Sequence, residues 1–287
     1  YVFEMSSYEL AISKYMNFDT CCVLNIEPDH LENHGNFKNY IAAKHNGLDH
    51  AKYKIISYED KNTFEKYRDT ADVIISDREK NTESDIYIVE RILMDKGKVI
   101  CDLSTFSELR GQHNHQNAAF AYAVCEHIGI FPKEIARYMG SFKALPYRMN
   151  IVKKIGEILF INDSKATNPD SSAKALGTYI GYKIFWLVGG RSKKTDIHKS
   201  IDRHIGSVYK IYLFGESMDE FEEAFRGLKE TVRCETMDNA LQMAYADASA
   251  ESGPSAVLLS PMCASFDQFE NYKARGEYFN KLVNELE

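Results

Sequence analysis

The sequence predicts an α/β protein made of two consecutive units, and three observations carry that reading. Short continuous apolar runs recur, among them Thr20–Ile26 ("TCCVLNI"), Lys183–Gly190 ("KIFWLVGG") and Ser255–Pro261 ("SAVLLSP"). Such runs suit strands buried on both faces. Helical patterns separate these runs, and strand–helix alternation implies parallel strands joined by crossover helices. The alternation becomes regular only after Leu145–Pro146, so we expect a mixed first unit at residues 1–145 and a second at 146–287.

Taken in order, "YVFEM" at residues 1–5 reads as a strand, and Thr20–Ile26 as another. A helical segment spans Asn36–Lys52. "KIISY" and "DVIIS" follow as strands with a polar stretch between them, and "IYIVERILMDKGKVICDLS" reads as a hairpin turning at Lys96–Gly97. Asn114–Ile130 is an Ala-rich helix. After Pro146 a strand pair turns at Gly156. Its second strand runs into a helix that Asn168 caps and Pro169 opens. Strands at Lys183–Gly190, Lys210–Ser217, "TVRCET" and Ser255–Pro261 then alternate with helices at "MDEFEEAFRGL" and "DNALQMAYADASA". The last helix is expected from Phe266 to Leu286.

Composition narrows the function classes. The 287 residues carry 35 Lys and Arg against 42 Asp and Glu, a net charge of −7, which argues against a nucleic-acid binder. Local cation clusters such as "RSKK" (Arg191–Lys194) leave small anionic ligands open. None of the six cysteines forms a C-x-x-C pair, so reduced thiols in a cytoplasmic protein are expected. No apolar run approaches the ~20 residues of a membrane span, and no signal peptide is visible. Residue 1 is Tyr and already reads as part of a strand, so we expect an N-terminal portion to precede it.

The candidate chemistry lies at strand ends. "NDSKATN" (Asn162–Asn168) gathers Asp163, Ser164, Lys165, Thr167 and Asn168 at one strand-to-helix turn. Such residues often bond the local backbone, but capping leaves Lys165 and Thr167 without a task. "VGGRSKKT" offers two glycines and then Lys193; it is either a solvated charge run or a ligand loop, and it is not a P-loop. Ser265, in "LLSPMCASFDQF", either caps a helix or helps hold an anion. In the first unit, Glu4, Ser6 and Ser7 follow one strand, and Asp29, His30 and His34 follow another. His30 and His34 have an i, i+4 spacing, but the zincin glutamate is absent; carboxylate plus imidazole suits Mg²⁺ with phosphate ligands better. Lys44 sits in a helix among small residues. His113, Asn114, His115 and Asn117 open another, a place suited to a nucleotide.

Together these stretches resemble the Mur ligases of peptidoglycan synthesis, in that family's order: "EMSSYEL", "LNIEPDHLENH", "AAKHN", "GQHNHQN", "LPYRM", "NDSKATNP", "LVGGRSKK" and "LLSPMCASFDQFENYKARGEYF". "NDSKATN" and "SPMCASFDQFENYKARG" most resemble the members that add D-glutamate. The resemblance implies the latter part of the central ATPase domain at 1–145 and a Rossmann-like C-terminal domain binding D-glutamate at 146–287. The family's UDP-binding domain and its phosphate loop lie outside this sequence, so this chain by itself is expected to be inactive.

The resemblance further implies an ATP-dependent ligase that joins D-glutamate to UDP-N-acetylmuramoyl-L-alanine through an acyl phosphate, with ATP and Mg²⁺ as cofactors. It implies a monomer serving cell-wall biogenesis, cell shape and cell division. Glu4, His30 and a carbamylated Lys44 would hold metal, with Ser6 nearby in the substrate site. Asn114, Asn117, Arg148 and Asp163 would contact ATP. Lys165, Thr167, Lys193, Ser265, Phe266 and Tyr272 would form the D-glutamate pocket. His30, Lys44 and Lys193 would be the catalytic set. The family pattern leads us to expect Leu where Phe266 stands, Phe where Tyr272 stands, and Asp-Gly where Arg191-Ser192 stands. The alternative is a non-catalytic module, derived from a Mur ligase, that binds nucleotide or a partner.

Overall fold

The computed structural model describes residues 1–13, 15–28, 31–78, 81–193 and 197–287. It divides into two compact units, Tyr1–Lys143 and Ala144–Glu287. Both are α/β, each built on a six-stranded sheet among the described residues.

In the first unit the strands lie in chain order: β1 (Phe18–Val23), β2 (Ala51–Ser57), β3 (Val73–Ser76), β4 (Ile86–Val89), β5 (Ile92–Asp95) and β6 (Lys98–Asp102). β1 to β4 are parallel; β5 runs antiparallel to β4, and β6 antiparallel to β5. Helices α1 (Ser7–Ile12), α2 (Leu31–His34), α3 (Phe37–Asp49), α4 (Lys61–Tyr67), α5 (Gln112–His127) and α6 (Pro132–Met139) connect or follow them. Ile55 and Ile56 are neighbours on β2 and both fully buried, yet they join different cores. Ile55 packs with Ala119 and Tyr122 of α5, and Ile56 with Leu48 of α3 and Phe64 of α4. The sheet is therefore covered on both faces, which is why segments such as Ile86–Val89 read as unbroken apolar runs.

Four sequence expectations need correction. Residues 1–5 form no strand, since β-prone residues without a ladder partner do not make one. The helix at Asn36–Lys52 stops at Asp49, and Ala51–Ser57 instead pairs with β1 as β2. The polar stretch between β2 and β3 holds α4, whose Thr63, Phe64 and Tyr67 share one buried face. The hairpin is a three-stranded meander: a second turn falls at Glu90–Arg91, with φ of 49° and 70°. That turn lacks the Asn or Gly that usually marks left-handed backbone.

The second unit has strand order β11-β10-β9-β12-β8-β7. The strands are β7 (Asn150–Ile155), β8 (Ile158–Asn162), β9 (Lys183–Gly189), β10 (Val208–Phe214), β11 (Thr231–Glu235) and β12 (Ser255–Met262). Only β7 runs antiparallel. The helices are α7 (Pro169–Thr178), α8 (His198–Ile201), α9 (Met218–Phe225), α10 (Met237–Ala250) and α11 (Tyr272–Glu285). Trp186 and Val188 of β9 pack on one side of the sheet with α7 and α9; Phe185 and Leu187 pack on the other with α10 and α11. The last helix begins at Tyr272 rather than Phe266. Asn271 caps it by accepting from the N–H groups of Lys273 and Ala274, so the chain from Ser265 to Asn271 is a turn.

Gly189 and Gly190 end β9, where backbones crowd. Gly190 has φ of 128°, and a Cβ there would stand 2.3 Å from the Ala264 carbonyl oxygen. The pair thus lets strand ends approach each other. Gly190→Ala is expected to destabilise the second unit by on the order of 3 kcal/mol through backbone strain and overlap. Trp186 is the only tryptophan and is fully buried, so its fluorescence during urea unfolding reads this unit alone. An unchanged midpoint would refute the constraint.

Candidate functional site

The parallel strands β9, β12 and β8 are neighbours in the second sheet. Their carboxyl ends therefore share one edge, where open α/β sheets bind ligands. Shortly past these ends come Lys193, Ser265 and Lys165 respectively. Ser265 is 2% exposed, and its hydroxyl has no hydrogen-bond partner among the described residues. An unpaired buried hydroxyl costs about 1–3 kcal/mol, so a ligand group or an ordered water that bonded to it would be favoured here. Ser265 does not cap α11; Asn271 does.

Around this hydroxyl the chain is tightly organised. Lys165 holds its ammonium 4.3 Å from the centre of the Tyr272 ring. Thr167 is partly exposed, and its N–H donates to the Lys165 carbonyl. Phe266 is exposed at 62%, and Lys193 is exposed as well. Both residues that depart from the expected Asp-Gly pair are matched locally. Arg191 makes a bidentate pair with Glu216, both contacts 3.0 Å, and the Ser192 hydroxyl donates to Glu220. The Arg191 N–H also donates to the Ala264 carbonyl, which ties the Lys193 loop to the residue before Ser265.

Sequence reasoning missed Arg275. It is fully buried, and its guanidinium donates to the Ser164 hydroxyl and carbonyl and to the Cys263 carbonyl, at 2.8–3.0 Å. A longer contact reaches the Gly189 carbonyl at 3.5 Å. Those residues stand at the ends of β8, β12 and β9. Burial lowers its pKa to about 10, so it stays charged at neutral pH. The signal was present in "NYKARG", but arginine ordinarily reads as solvated.

Asp163 is buried too, and its carboxylate is engaged. One oxygen accepts from the Met149 N–H and the other from the Ser260 hydroxyl, which also meets Ser172. Asp163 therefore anchors the "LPYRM" segment, where Tyr147 and Met149 hold φ of 65° and 52°. Arg148, between them, is exposed.

In the first unit, Ser6 caps α1 in a capping box with Glu9. Glu4 is exposed and Lys44 half-buried on α3. His30 lies outside the described residues. The adjacent Ser7 is buried and bonded to His34 at 2.9 Å, and the His34 ring stacks on Tyr8. Asn114, half-buried, and Asn117, exposed, lie on the first turns of α5, joined by an amide–amide bond of 3.3 Å. His115 and Gln116 on the same turn point inward, Gln116 to Ser57. Among the described residues no three His, Cys, Asp or Glu side chains gather as a metal site.

Burial raises the Asp163 carboxyl from 3.8 to about 7, against the opposing pull of Ser260, the Met149 N–H, Arg148 and Arg275. Between pH about 4 and about 7 the folded unit thus holds a proton that the unfolded chain has released. Its contribution to stability is complete below that window and lost as pH rises through it. Asp163→Asn should remove this slope, so urea midpoints of the two proteins should diverge across the window. A constant difference would exclude Asp163 as the titrating group.

Comparison with known proteins agrees with this architecture. Residues 1–125 match the Mur ligase middle domain and residues 147–263 the Mur ligase glutamate ligase domain. The chain is 36% identical to the UDP-N-acetylmuramoylalanine–D-glutamate ligase of Phenylobacterium zucineum, covering 100% of this chain and 63% of the relative. The enzyme of that name from Caulobacter vibrioides is 37% identical with the same coverage. This chain therefore spans 63% of the length of these curated relatives. Among solved structures, MurC of Thermotoga maritima superposes with a TM-score of 0.63 at 16% identity, over 93% of this chain and 60% of that one. Folylpolyglutamate synthase of Mycobacterium tuberculosis, complexed with ADP, gives 0.66 at 16% identity, over 93% and 64%. These two share the fold. On its two matched domains and its sequence identity, the chain belongs to the Mur ligase family.

Proposed function

We propose that this chain carries nucleotide-binding and amino-acid-binding parts of an ATP-dependent ligase that adds D-glutamate to UDP-N-acetylmuramoyl-L-alanine in peptidoglycan synthesis. The observation that carries the reading is the buried Ser265 hydroxyl, without a partner among the described residues, just past the strand between those that lead to Lys165 and Lys193. Two ammonium groups and a hydroxyl suit an amino acid with two carboxylates. The names of the curated relatives support D-glutamate as that amino acid. Thr167, Phe266 and Tyr272 complete the pocket in this reading.

In the reaction, an oxygen of the muramoyl-alanine carboxylate attacks the γ-phosphorus of ATP and ADP leaves. The D-glutamate amine then attacks the acyl phosphate carbonyl, phosphate departs and the amine proton is lost. Lys193 and Lys165 hold the carboxylates of the incoming amino acid so that its amine is presented unhindered. Asn114 and Asn117 bind the adenine side. Arg148 contacts ATP directly, while Asp163, whose oxygens are taken by Met149 and Ser260, fixes the segment that bears Arg148. Glu4, His30 and Lys44 are the residues that would hold Mg²⁺. Glu4 offers the hard oxygen donor that ion prefers, and Lys44 would offer another once carbamylated. When bound, Mg²⁺ would offset phosphate charge. The free state of all six cysteines supports a cytoplasmic setting.

Calorimetric titration of the chain with D-glutamate tests this reading. Ser265→Ala should weaken binding at least tenfold through loss of a hydrogen bond to a charged group, worth about 1.5–3 kcal/mol. The same change should leave stability equal or raise it by about 1 kcal/mol, because an unsatisfied buried hydroxyl disappears. Lys193→Ala should weaken D-glutamate and leave ATP unaffected. A wild-type chain that binds D-glutamate no better than D-alanine would overturn the assignment.

A further inference from the structure

We infer that Tyr272 is a positioning residue: its ring face, backed by Tyr147, holds the Lys165 ammonium at the mouth for a substrate carboxylate. The inference deepens the D-glutamate reading and rests on it. Lys165 is half-buried, with its Nζ 4.3 Å from the Tyr272 ring centre. Among the described residues no carboxylate stands within ion-pair reach of that ammonium, so the ring face is its electrostatic seat. A cation over an aromatic face is attracted without losing its hydrogen-bond donors to a carboxylate. Lys165 thus stays loaded for an anion and is held in place as well.

The seat is itself built. The Tyr272 ring meets the Tyr147 ring edge-on, with centroids 6.5 Å apart. Tyr147 lies against Gly276 of α11, where a Cβ would come within 2.3 Å of the ring. Its hydroxyl donates to Glu277, and its carbonyl accepts the Lys165 N–H. The Tyr272 carbonyl accepts the Ser164 hydroxyl, which in turn accepts from Arg275. The lysine backbone and the ring under its ammonium are therefore fixed by one set of contacts. A free lysine would lose up to about 2 kcal/mol of rotamer entropy when it met its ligand, and the seat removes part of that loss beforehand.

The test uses the whole chain and two readouts. D-glutamate binding by calorimetry should weaken about fivefold in Tyr272→Leu, within the range of a partly desolvated cation–π contact. Tyr272→Phe, which keeps a ring face, should restore it to within about twofold. In chain whose lysines carry ¹³C-methyl labels, the Lys165 resonance, identified with Lys165→Arg, should be shifted upfield by the ring. It should move to the position of an ordinary lysine in Tyr272→Leu. Should that variant fail to fold by Trp186 fluorescence, Tyr147→Leu removes the backing ring and should weaken binding in the same direction. Wild-type affinity in Tyr272→Leu or, where that variant does not fold, in Tyr147→Leu overturns the inference while leaving the D-glutamate reading intact. An upfield-shifted Lys165 in a wild-type chain that binds no D-glutamate overturns that reading and, with it, the role of the seat.

Discussion

The second unit depends on one buried cation. Arg275 projects from α11 beneath the sheet edge and donates to oxygens at the ends of three strands. None of these acceptors is a carboxylate. A guanidinium out of water is costly unless its donors are met, and here the dipoles of Ser164, Cys263 and Gly189 meet them. The arrangement makes the cost of burial a constraint on geometry: were any strand end displaced, a donor of a charged group would be left unpaired. The same three strands lead to Lys165, Ser265 and Lys193. The precision of the candidate pocket therefore follows from the requirement to satisfy Arg275.

That constraint explains why small and oxygen-bearing residues crowd this edge. Gly190 must lack a side chain because Ala264 and the Arg275 guanidinium stand against its Cα. Gly215 likewise faces the Asp267 carboxylate, which accepts the Glu216 N–H. Asp163 sits on the far side of the β8 end and is held by Ser260 and Met149. Its burial favours the neutral form while Arg275 and Arg148 favour the charged one. Backbone, buried ion and buried acid form one polar network, and beside it the Ser265 hydroxyl has no partner among the described residues. Beside that network an unpaired hydroxyl is informative, since loops elsewhere along this edge resolve theirs through Ser164, Ser217 and Ser260.

Much of this was legible in the sequence. Buried parallel strands announce themselves as apolar runs, and the capping of α7 by Asn168 with Pro169 follows from local chemistry alone. What escaped depends on distant partners. The run at residues 1–5 has strand-forming residues but no ladder, and no local signal reports a missing neighbour. Glu90 and Arg91 adopt left-handed backbone because β4 and β5 pair around them, a tertiary override of residue preference. The two glycines of "VGG" read as part of a ligand loop, whereas the structure sets the chain's own backbone, at Phe214 and Ala264, against them. Arg275 and Ser265 were visible as letters in a motif. Their meaning came from burial, which turns an ordinary surface arginine into a hub and a candidate helix cap into an unpaired hydroxyl.

The chain carries a net charge of −7, yet its candidate anion pocket is cationic. Local arrangement resolves this. Arg191, one of the departures from the family pattern, is neutralised by Glu216, and Arg275 is sealed beneath the strand ends. Lys165, over an uncharged aromatic face, and the exposed Lys193 are among the cations that this edge carries. A net negative charge over the whole chain disfavours large polyanions, which must meet the whole field, far more than a small dicarboxylate, which meets a local group of cations. The pairing of Arg191 with Glu216 removes one positive charge from the edge, so in the proposed reading a small dicarboxylate meets Lys165 and Lys193 rather than Arg191.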